Sequence, residues 1–238
     1  MSLSDFSFVT FEIDHEGCWS KITSDYPIMV RTIFAKSSKE KDHILGFDEI
    51  KARDYQSFKD FLRAFKKEKS IFEVIQLWEL DKRRGIYRIL FKEKYDNMIM
   101  GIIEKYTILY LRDLIKDGRE KLLIVIPSDE IKPLKSELEA LGKIYCFKVR
   151  NININILIPE FFVLSEQERK SIIKAIKLGY YEYPRRINLE DLSEIMKLSK
   201  PTLEEYIRKA EKKIMVRLFN ELYYQDLLLN NECSLRTI

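Results

Sequence analysis

Few chemically reactive side chains lie close together along this sequence. Asp14, His15 and Cys18 come shortly before Ser20, a spacing that would suit a nucleophilic site or a metal site. Nothing in the sequence orients them, the chain has only two histidines, and no second pair of ligands accompanies His15 and Cys18. The sequence also lacks a Gly-rich phosphate loop and a nucleophile elbow. We therefore expect no catalytic residues, no metal ion, no cofactor and no enzymatic activity.

The residues that could contact a nucleic acid lie between Arg185 and Lys212. Basic side chains bind phosphates, whereas lysine, hydroxyl and carboxylate groups can recognise base edges in the major groove. The alternative for each residue is a solvated polar group on an exposed helix. The candidates for base contact are Lys200, Thr202 and Glu205, with Pro201 against a thymine methyl group, and those for phosphate contact are Arg208, Lys209, Lys212, Arg185 and Arg186.

Three helices are predicted to position these residues. Ser165 and Glu168 have the spacing of a capping box, Asn188 can cap a second helix, and Ser199 can cap a third with Pro201 in its first turn. The helices capped by Asn188 and Ser199 are joined by a turn of about four residues, which is typical of a helix-turn-helix. In that motif the start of the later helix, here the one capped by Ser199, protrudes. The side chains predicted to face inward are Ile172, Ile173, Ile176, Leu189, Leu192, Ile195, Leu203, Ile207 and Ala210.

Residues 164–214 resemble the helix-turn-helix domain of archaeal regulators of the bacterio-opsin activator type. The resemblance rests on four motifs in order: Leu164–Ser165, Gly179–Pro184 (GYYEYP), Ser199–Thr202 (SKPT) and Arg208–Lys213 (RKAEKK). It implies DNA binding and transcriptional control, with a sensing or regulatory module in the N-terminal part. The chain departs from the family pattern in two places. Ser193 stands where a smaller residue is usual, and Lys197 stands where the turn usually has Gly, which costs roughly 1 kcal/mol in a left-handed conformation.

The N-terminal part alternates between strand and helix patterns, which predicts an α+β domain of ferredoxin-like units over residues 1–150. An extended linker over 151–160 and an all-α helix-turn-helix domain with a long C-terminal helix over 161–238 follow. Gly142 is expected at the C-terminal cap of the last N-terminal helix. The predicted strands are 7–13, 28–35, 43–50, 71–80, 86–91, 107–115, 121–126 and 144–149, and the predicted helices begin at Tyr55, Asn97 and Asp129.

The apolar stripe of the last helix continues through Ile214 and Leu218 toward Leu222 and Leu229. A helix with such a face must bury it, either against the N-terminal domain or against a second copy of the chain. We favour a homodimer because two half-sites about one DNA turn apart suit a two-fold protein.

Composition limits the class of protein. Hydrophobic residues make up 46% of the chain and charged residues 34%, which is enough apolar material for packed cores. No apolar run reaches the roughly 18 residues that span a bilayer, and the N-terminus lacks a signal-peptide pattern, so we expect a cytoplasmic protein without membrane contact. The net charge of +4 gives weak support for a polyanionic partner.

The expected partners are double-stranded DNA, a second copy of the chain and a small-molecule effector of unknown identity. Two alternatives stay open. In the first, the protein binds DNA constitutively and its N-terminal domain only dimerises. In the second, an RNA-binding or enzymatic α+β domain carries a helical region for protein contact.

Overall fold

Alternation of buried and exposed side chains along the N-terminal half produces one eight-stranded sheet, in which every neighbouring pair of strands is antiparallel. The computed structural model describes residues 6–38, 42–151 and 164–229, which divide into a β-rich N-terminal unit and a helical C-terminal unit. Of the linker predicted over 151–160, Asn151 belongs to the described residues and the remainder lies outside them. None of the described helices is both long and apolar enough to cross a membrane.

The N-terminal unit contains two runs of elements in the order βαββαβ. The first run has a 3-10 turn in place of its first helix, and the second helix of the second run follows a short 3-10 turn. The first run is β1 (Phe6–His15), the 3-10 turn Trp19–Ser24, β2 (Ile28–Ser38), β3 (His43–Ala52), α1 (Tyr55–Phe65) and β4 (Ile71–Asp81). The second run is β5 (Ile86–Lys94), α2 (Ile99–Ile103), β6 (Tyr110–Lys116), β7 (Arg119–Pro127), α3 (Ile131–Leu141) and β8 (Gly142–Asn151).

The two runs exchange their first strands. The sheet order is β4-β5-β3-β2-β6-β7-β1-β8, so β5 lies between β3 and β4, and β1 lies between β7 and β8. The short turn after Asp81 forces β5 to pair with β4, and β5 then occupies the place beside β3. The α+β class is therefore observed, but the ferredoxin-like assignment is not confirmed, since neither run forms a four-stranded sheet by itself.

Two apolar clusters hold this sheet to its helices. In the first half, Phe58, Phe61 and Phe65 of α1 are buried against β2, β3 and β5 as their helical spacing predicts. In the second half, Leu134 and Leu138 of α3 pack with residues of α2, β1 and β7. Each half thus has its own core, and the strand exchange makes each core depend on a strand from the other run.

α3 ends at Leu141 with Gly142 as its C-terminal cap, as predicted, but Gly142 has an extended conformation (φ −171°) and not the left-handed one that glycine commonly adopts after a helix. A Cβ atom at Gly142 would lie 2.3 Å from the carbonyl oxygen of Asp14 and 2.6 Å from the Cβ atom of His15. Glycine is required here because β8 starts directly at this residue and approaches β1 closely.

The junction of the two halves, between β2 and β6, contains buried carboxylates. A register shift in β2 follows Thr32, whose N–H and hydroxyl donate to the Asp113 carboxylate at 2.8 and 2.7 Å. Asp48 is 2% exposed, and its Oδ1 has no hydrogen-bond partner among the described residues. Burial, and after it the charge of Asp113, raises the pKa of Asp48 well above its usual value; burial raises the pKa of Asp113 to about 6.

Three helices form the C-terminal unit: α4 (Glu166–Lys177), α5 (Leu189–Met196) and α6 (Lys200–Leu229). The predicted capping box is present, since the Glu168 N–H donates to Ser165 Oγ at 3.3 Å and the Ser165 N–H donates to the Glu168 carboxylate at 2.8 Å. The core consists of Ile172, Ala175, Leu192, Leu203, Ile207 and Ala210. The inward positions predicted for Ile173, Ile176 and Ile195 are wrong, because these three side chains are exposed.

The turn between α5 and α6 is a Schellman motif. Lys197 is left-handed (φ 55°, ψ 43°), the Leu198 N–H donates to the Ser193 carbonyl at 3.1 Å, and the Lys197 N–H donates to the Glu194 carbonyl at 3.0 Å. Lys197 therefore adopts the left-handed conformation at the position where the family usually has glycine.

Replacing Asp48 should change the pH dependence of stability. An acid whose pKa is raised by folding destabilises the folded state once the pH exceeds the unfolded pKa, and the full cost is present above the folded pKa. Asp48→Asn should therefore raise the free energy of unfolding at pH 7 by about 1–2 kcal/mol, with the gain disappearing toward pH 4. Denaturant titration in a chelating buffer, followed by tryptophan fluorescence, tests this, because both tryptophans, Trp19 and Trp78, are in the N-terminal unit.

The exposed Asp96→Asn is the control for Asp48→Asn and should change stability little at any pH. A gain of Asp48→Asn that grows as the pH falls would contradict the assignment of a destabilising buried charge.

Replacing Lys197 with Gly should stabilise the helical unit by about 1 kcal/mol, because glycine adopts the left-handed region without a Cβ clash. Lys197→Ala is the matched control, since it removes the charge but keeps Cβ, and should leave stability near that of the wild type. Denaturation followed by circular dichroism at the helix band measures both. Equal stabilisation by Gly and Ala would attribute the effect to the charge instead of the backbone.

Candidate nucleic-acid interface

The start of α6 is fixed by a local hydrogen-bond network at Ser199. The Thr202 N–H donates to Ser199 Oγ at 3.3 Å, the two hydroxyls lie 2.7 Å apart, and the Leu203 N–H donates to the Ser199 carbonyl at 2.9 Å. Ser199 therefore caps α6 as its sequence position predicts. Thr202, a candidate for base contact, shares its hydroxyl with this cap.

One face of α6 is buried and the opposite face is open. Leu203, Ile207 and Ala210 are buried in the core of the helical unit. The other face forms a shallow groove that brings together six residues, five of which were predicted as contacts: Pro201, Glu204, Glu205, Arg208, Lys209 and Lys212. Glu204 lines the groove but was not among the predicted contact residues.

Carboxylates neutralise part of this face. Arg208 lies 3.7 Å from Glu204 and Lys209 lies 2.5 Å from Glu205, both at the i,i+4 spacing of one helix. The hydrogen bond to Glu205 raises the pKa of Lys209. Lys200 lies 3.3 Å from Glu190 of α5, so it too is held in an ion pair. These pairs are exposed, and such pairs contribute little to stability.

Arg185 and Arg186 lie outside this groove, in the loop between α4 and α5. The Arg185 guanidinium lies over the Tyr180 ring, 4.6 Å from its centroid. Arg186 packs on Gly179 and forms an ion pair with Glu182. Both arginines are exposed, but their side chains are already engaged within the loop.

Two features were not identified from the sequence. The buried Glu168 of the capping box accepts a hydrogen bond from Lys213 of α6 at 2.8 Å, which ties the first helix to the last and lowers the pKa of Glu168. A second groove, between α4 and α5, has apolar and basic walls. It is lined by Arg169, Lys170, Ile173, Lys174, Lys177, Ile195 and Met196.

The basic residues of α4 do carry a signal in the sequence. Lys170, Lys174 and Lys177 recur at intervals of four and three, which places them on one side of a helix. The wrong inward assignment of Ile173 and Ile176 concealed this surface.

Residues 164–216 match the family described as HTH DNA binding domain. A protein of Haloferax volcanii, provisionally named a transcriptional regulator, is 34% identical over 59 residues, which are 25% of this chain and 10% of that protein. The chain thus matches about a tenth of the length of this relative, and no solved structure matches the chain. Residues 164–216 therefore form a helix-turn-helix DNA-binding domain of the bacterio-opsin activator type.

Proposed function

We propose that this protein is a DNA-binding transcription regulator that recognises a specific sequence with α6. The observation that carries the proposal is the open face of α6, which begins at the capped Ser199 and directs its polar side chains away from the core of the unit. The family match of residues 164–216 and the name of the Haloferax volcanii relative support it.

The start of α6 suits insertion into the major groove, which is wide enough for one helix and presents a distinct hydrogen-bond pattern for each base pair. In this arrangement Lys200, Thr202 and Glu205 contact base edges, and Pro201 meets a thymine methyl group. The phosphates on either side are bound by Arg208, Lys209, Lys212, Arg185 and Arg186, which fix position without reading sequence.

Phosphate binding requires the basic residues of α6 to exchange partners. Arg208 and Lys209 are paired with Glu204 and Glu205 in the free protein. An exposed pair of this kind is worth about 0.2–1 kcal/mol, so a phosphate group can replace it at low cost. The released Glu205 can then accept a hydrogen bond from a cytosine amino group.

The N-terminal α+β domain, which we assign to residues 1–150, has the role of sensing a ligand or partner. In the alternative, the same domain only dimerises and DNA binding is constitutive. A cavity of about 30 Å³ between β2 and β6, with Asp48, Glu93, Asp113 and Glu120 in an otherwise largely apolar wall, supports the sensing role, and its size restricts the ligand held there to an ion or a water-sized group. The absence of enzymatic activity stays a prediction.

The protein acts as a homodimer in this proposal, with the outer part of α6 as the contact. Ile214, Met215 and Leu218 are 41%, 60% and 48% exposed, an unusual density of apolar surface on one helix. The side chains of Leu222 and Leu229, which continue the predicted stripe, lie outside the described part of the chain. A two-fold dimer would bind two half-sites about 34–36 Å apart.

Substitutions on α6 should separate base recognition from phosphate binding. Arg208→Ala should weaken binding of all sequences by a similar factor and reduce the salt slope of binding by about 1, because one phosphate contact is lost. Thr202→Ala should cost about 1–3 kcal/mol on the preferred site and change the site preference. Selection of sites from genomic fragments, followed by titrations at several salt concentrations, measures both effects.

Lys59→Ala is the control for these DNA titrations, since it removes an exposed lysine from α1 of the other unit. It should leave affinity and salt slope unchanged. If both α6 variants keep wild-type affinity for the preferred site, the proposed docking of α6 is wrong.

A charge on the apolar face of α6 should dissociate the dimer. Leu218→Glu should give a monomer in sedimentation equilibrium, because the carboxylate would be buried without a partner at the contact. Phe34→Glu places the same charge on an exposed apolar position of β2, and the dimer should persist. The reverse pattern would assign dimerisation to the N-terminal domain, and a monomeric wild type would remove the homodimer from the proposal.

A further inference from the structure

Three metal-ligating side chains from distant parts of the sequence meet at the end of β1. His15 is the last residue of β1, Cys18 caps the 3-10 turn Trp19–Ser24, and Glu120 lies on β7, where it is the register partner of Ile13. His15 and Cys18 are 2% and 5% exposed, and the Glu120 side chain is 12% exposed. The sequence alone offered only His15 and Cys18, since Glu120 is 102 residues away from Cys18.

The potential metal-ligand atoms of the three side chains lie close together. His15 Nε2 lies 3.0 Å and Cys18 Sγ lies 3.3 Å from the same oxygen, Glu120 Oε1, and the ligand atoms of all three residues lie within 4.8 Å of one another. In a tetrahedral zinc site, ordinary metal–ligand lengths imply separations of roughly 3.4 Å for N···O and 3.6 Å for S···O. The N···O and S···O distances would need to grow by about 0.3–0.4 Å to admit an ion, and the His15 nitrogen and Cys18 sulfur, which lie within 4.8 Å of each other, would need to come to roughly 3.5 Å.

We propose that His15, Cys18 and Glu120 bind a divalent transition-metal ion, with its fourth position open to the cavity between β2 and β6. The donor set of imidazole, thiolate and carboxylate favours Zn²⁺ or Co²⁺ over the oxygen-preferring Mg²⁺ and Ca²⁺. The site itself does not depend on the proposed function; only its use in regulating DNA binding does.

The cavity provides room for a fourth ligand. Its volume is about 30 Å³, and Cys18 and Glu120 are both part of its wall. A cavity of about 10–15 Å³ is large enough to hold one water molecule. Asp48 also lines the cavity, with its buried Oδ1 lacking a hydrogen-bond partner among the described residues. A metal-bound water can donate a hydrogen bond to this oxygen, which would satisfy it.

The charges around the cavity favour a cation. Glu93 and Asp113 complete a group of four carboxylates in its wall with Asp48 and Glu120. Burial, and after it the charge of Asp48, raises the pKa of Glu93 well above its usual value, although the Trp19 indole N–H donates to it at 2.8 Å. A bound divalent cation would relieve the mutual repulsion of these groups.

The imidazole limits the affinity. His15 Nδ1 has no hydrogen-bond partner among the described residues, whereas histidine ligands normally donate from their second nitrogen to a partner that fixes the ring. Loss of such a partner typically lowers metal affinity about 10–100-fold. We therefore expect weaker binding than at a four-ligand structural zinc site, and exchange of the ion with its surroundings, as a sensor requires.

Cobalt titration of the full-length protein tests the site directly. Tag-free protein is first stripped with a chelator and then titrated with Co²⁺. One ion per chain should bind, with a thiolate-to-cobalt charge-transfer band and the strong visible absorption of tetrahedral Co²⁺. Zn²⁺ should displace it and raise the unfolding temperature.

Variants assign the ligands. Cys18→Ser should abolish the charge-transfer band, and Glu120→Gln, which keeps the size of the side chain, should weaken Co²⁺ binding at least tenfold. His43→Gln, which replaces the other histidine of the chain, should bind as the wild type does. Tryptophan fluorescence verifies that each variant is folded; if Cys18→Ser is unfolded, Glu120→Gln and the charge-transfer band of the wild type decide.

Co²⁺ binding without a charge-transfer band, equal binding by wild type and Glu120→Gln, or no binding at millimolar Co²⁺ would each overturn the metal site. A change of DNA affinity with Zn²⁺ is measured separately. A protein that binds Co²⁺ as described but does not bind DNA would retain the metal site and refute the proposed function.

Discussion

The exposed face of α6 depends on the packing of its opposite face. Leu203, Ile207 and Ala210 are buried against Leu192 and Ile172, and the alanine permits close approach of the helices. Because this core is small, the hydrogen bonds that cap the helices are important in fixing where each helix begins and ends. The Glu168–Lys213 contact adds a bond between the first and last helices of the unit. The polar side chains of α6 can therefore be presented in a fixed arrangement, because the helix that carries them cannot rotate without exposing its apolar face.

The N-terminal unit is organised by a different constraint, the exchange of β1 and β5 between its two runs of elements. Each half depends on a strand supplied by the other, so the two cores are expected to unfold together. The two halves meet at the junction of β2 and β6, where Val30 and Ile115 are register partners and the Thr32 N–H donates to the Asp113 side chain. A polar cavity can exist here because the sheet does not close tightly at this place.

Local features of both units could be predicted from the sequence, and features that depend on distant pairing could not. The caps at Ser165, Asn188 and Ser199 follow from short-range hydrogen bonds, as does the phenylalanine face of α1. The strand exchange and the meeting of Glu120 with Cys18 depend on which strands pair, which no local pattern encodes. Gly142 illustrates the limit, since it fitted the pattern of a helix cap but is required by contact with β1. On α4, Ile172, Ile173 and Ile176 are separated by intervals that suit more than one buried helix face, and only Ile172 is buried.

The buried acids at the β2–β6 junction argue for a functional N-terminal unit. Apolar residues of similar volume at such positions are often neutral or stabilising, so a fold under selection for stability alone has no need of Asp48, Glu93 and Asp113 together. Groups with strongly perturbed pKa values in a cavity are typical of sites that bind or react. A unit that only held two copies together would use its surface for that purpose and could fill its interior with apolar side chains. The buried carboxylates therefore support the proposed sensing role over the purely dimerising alternative.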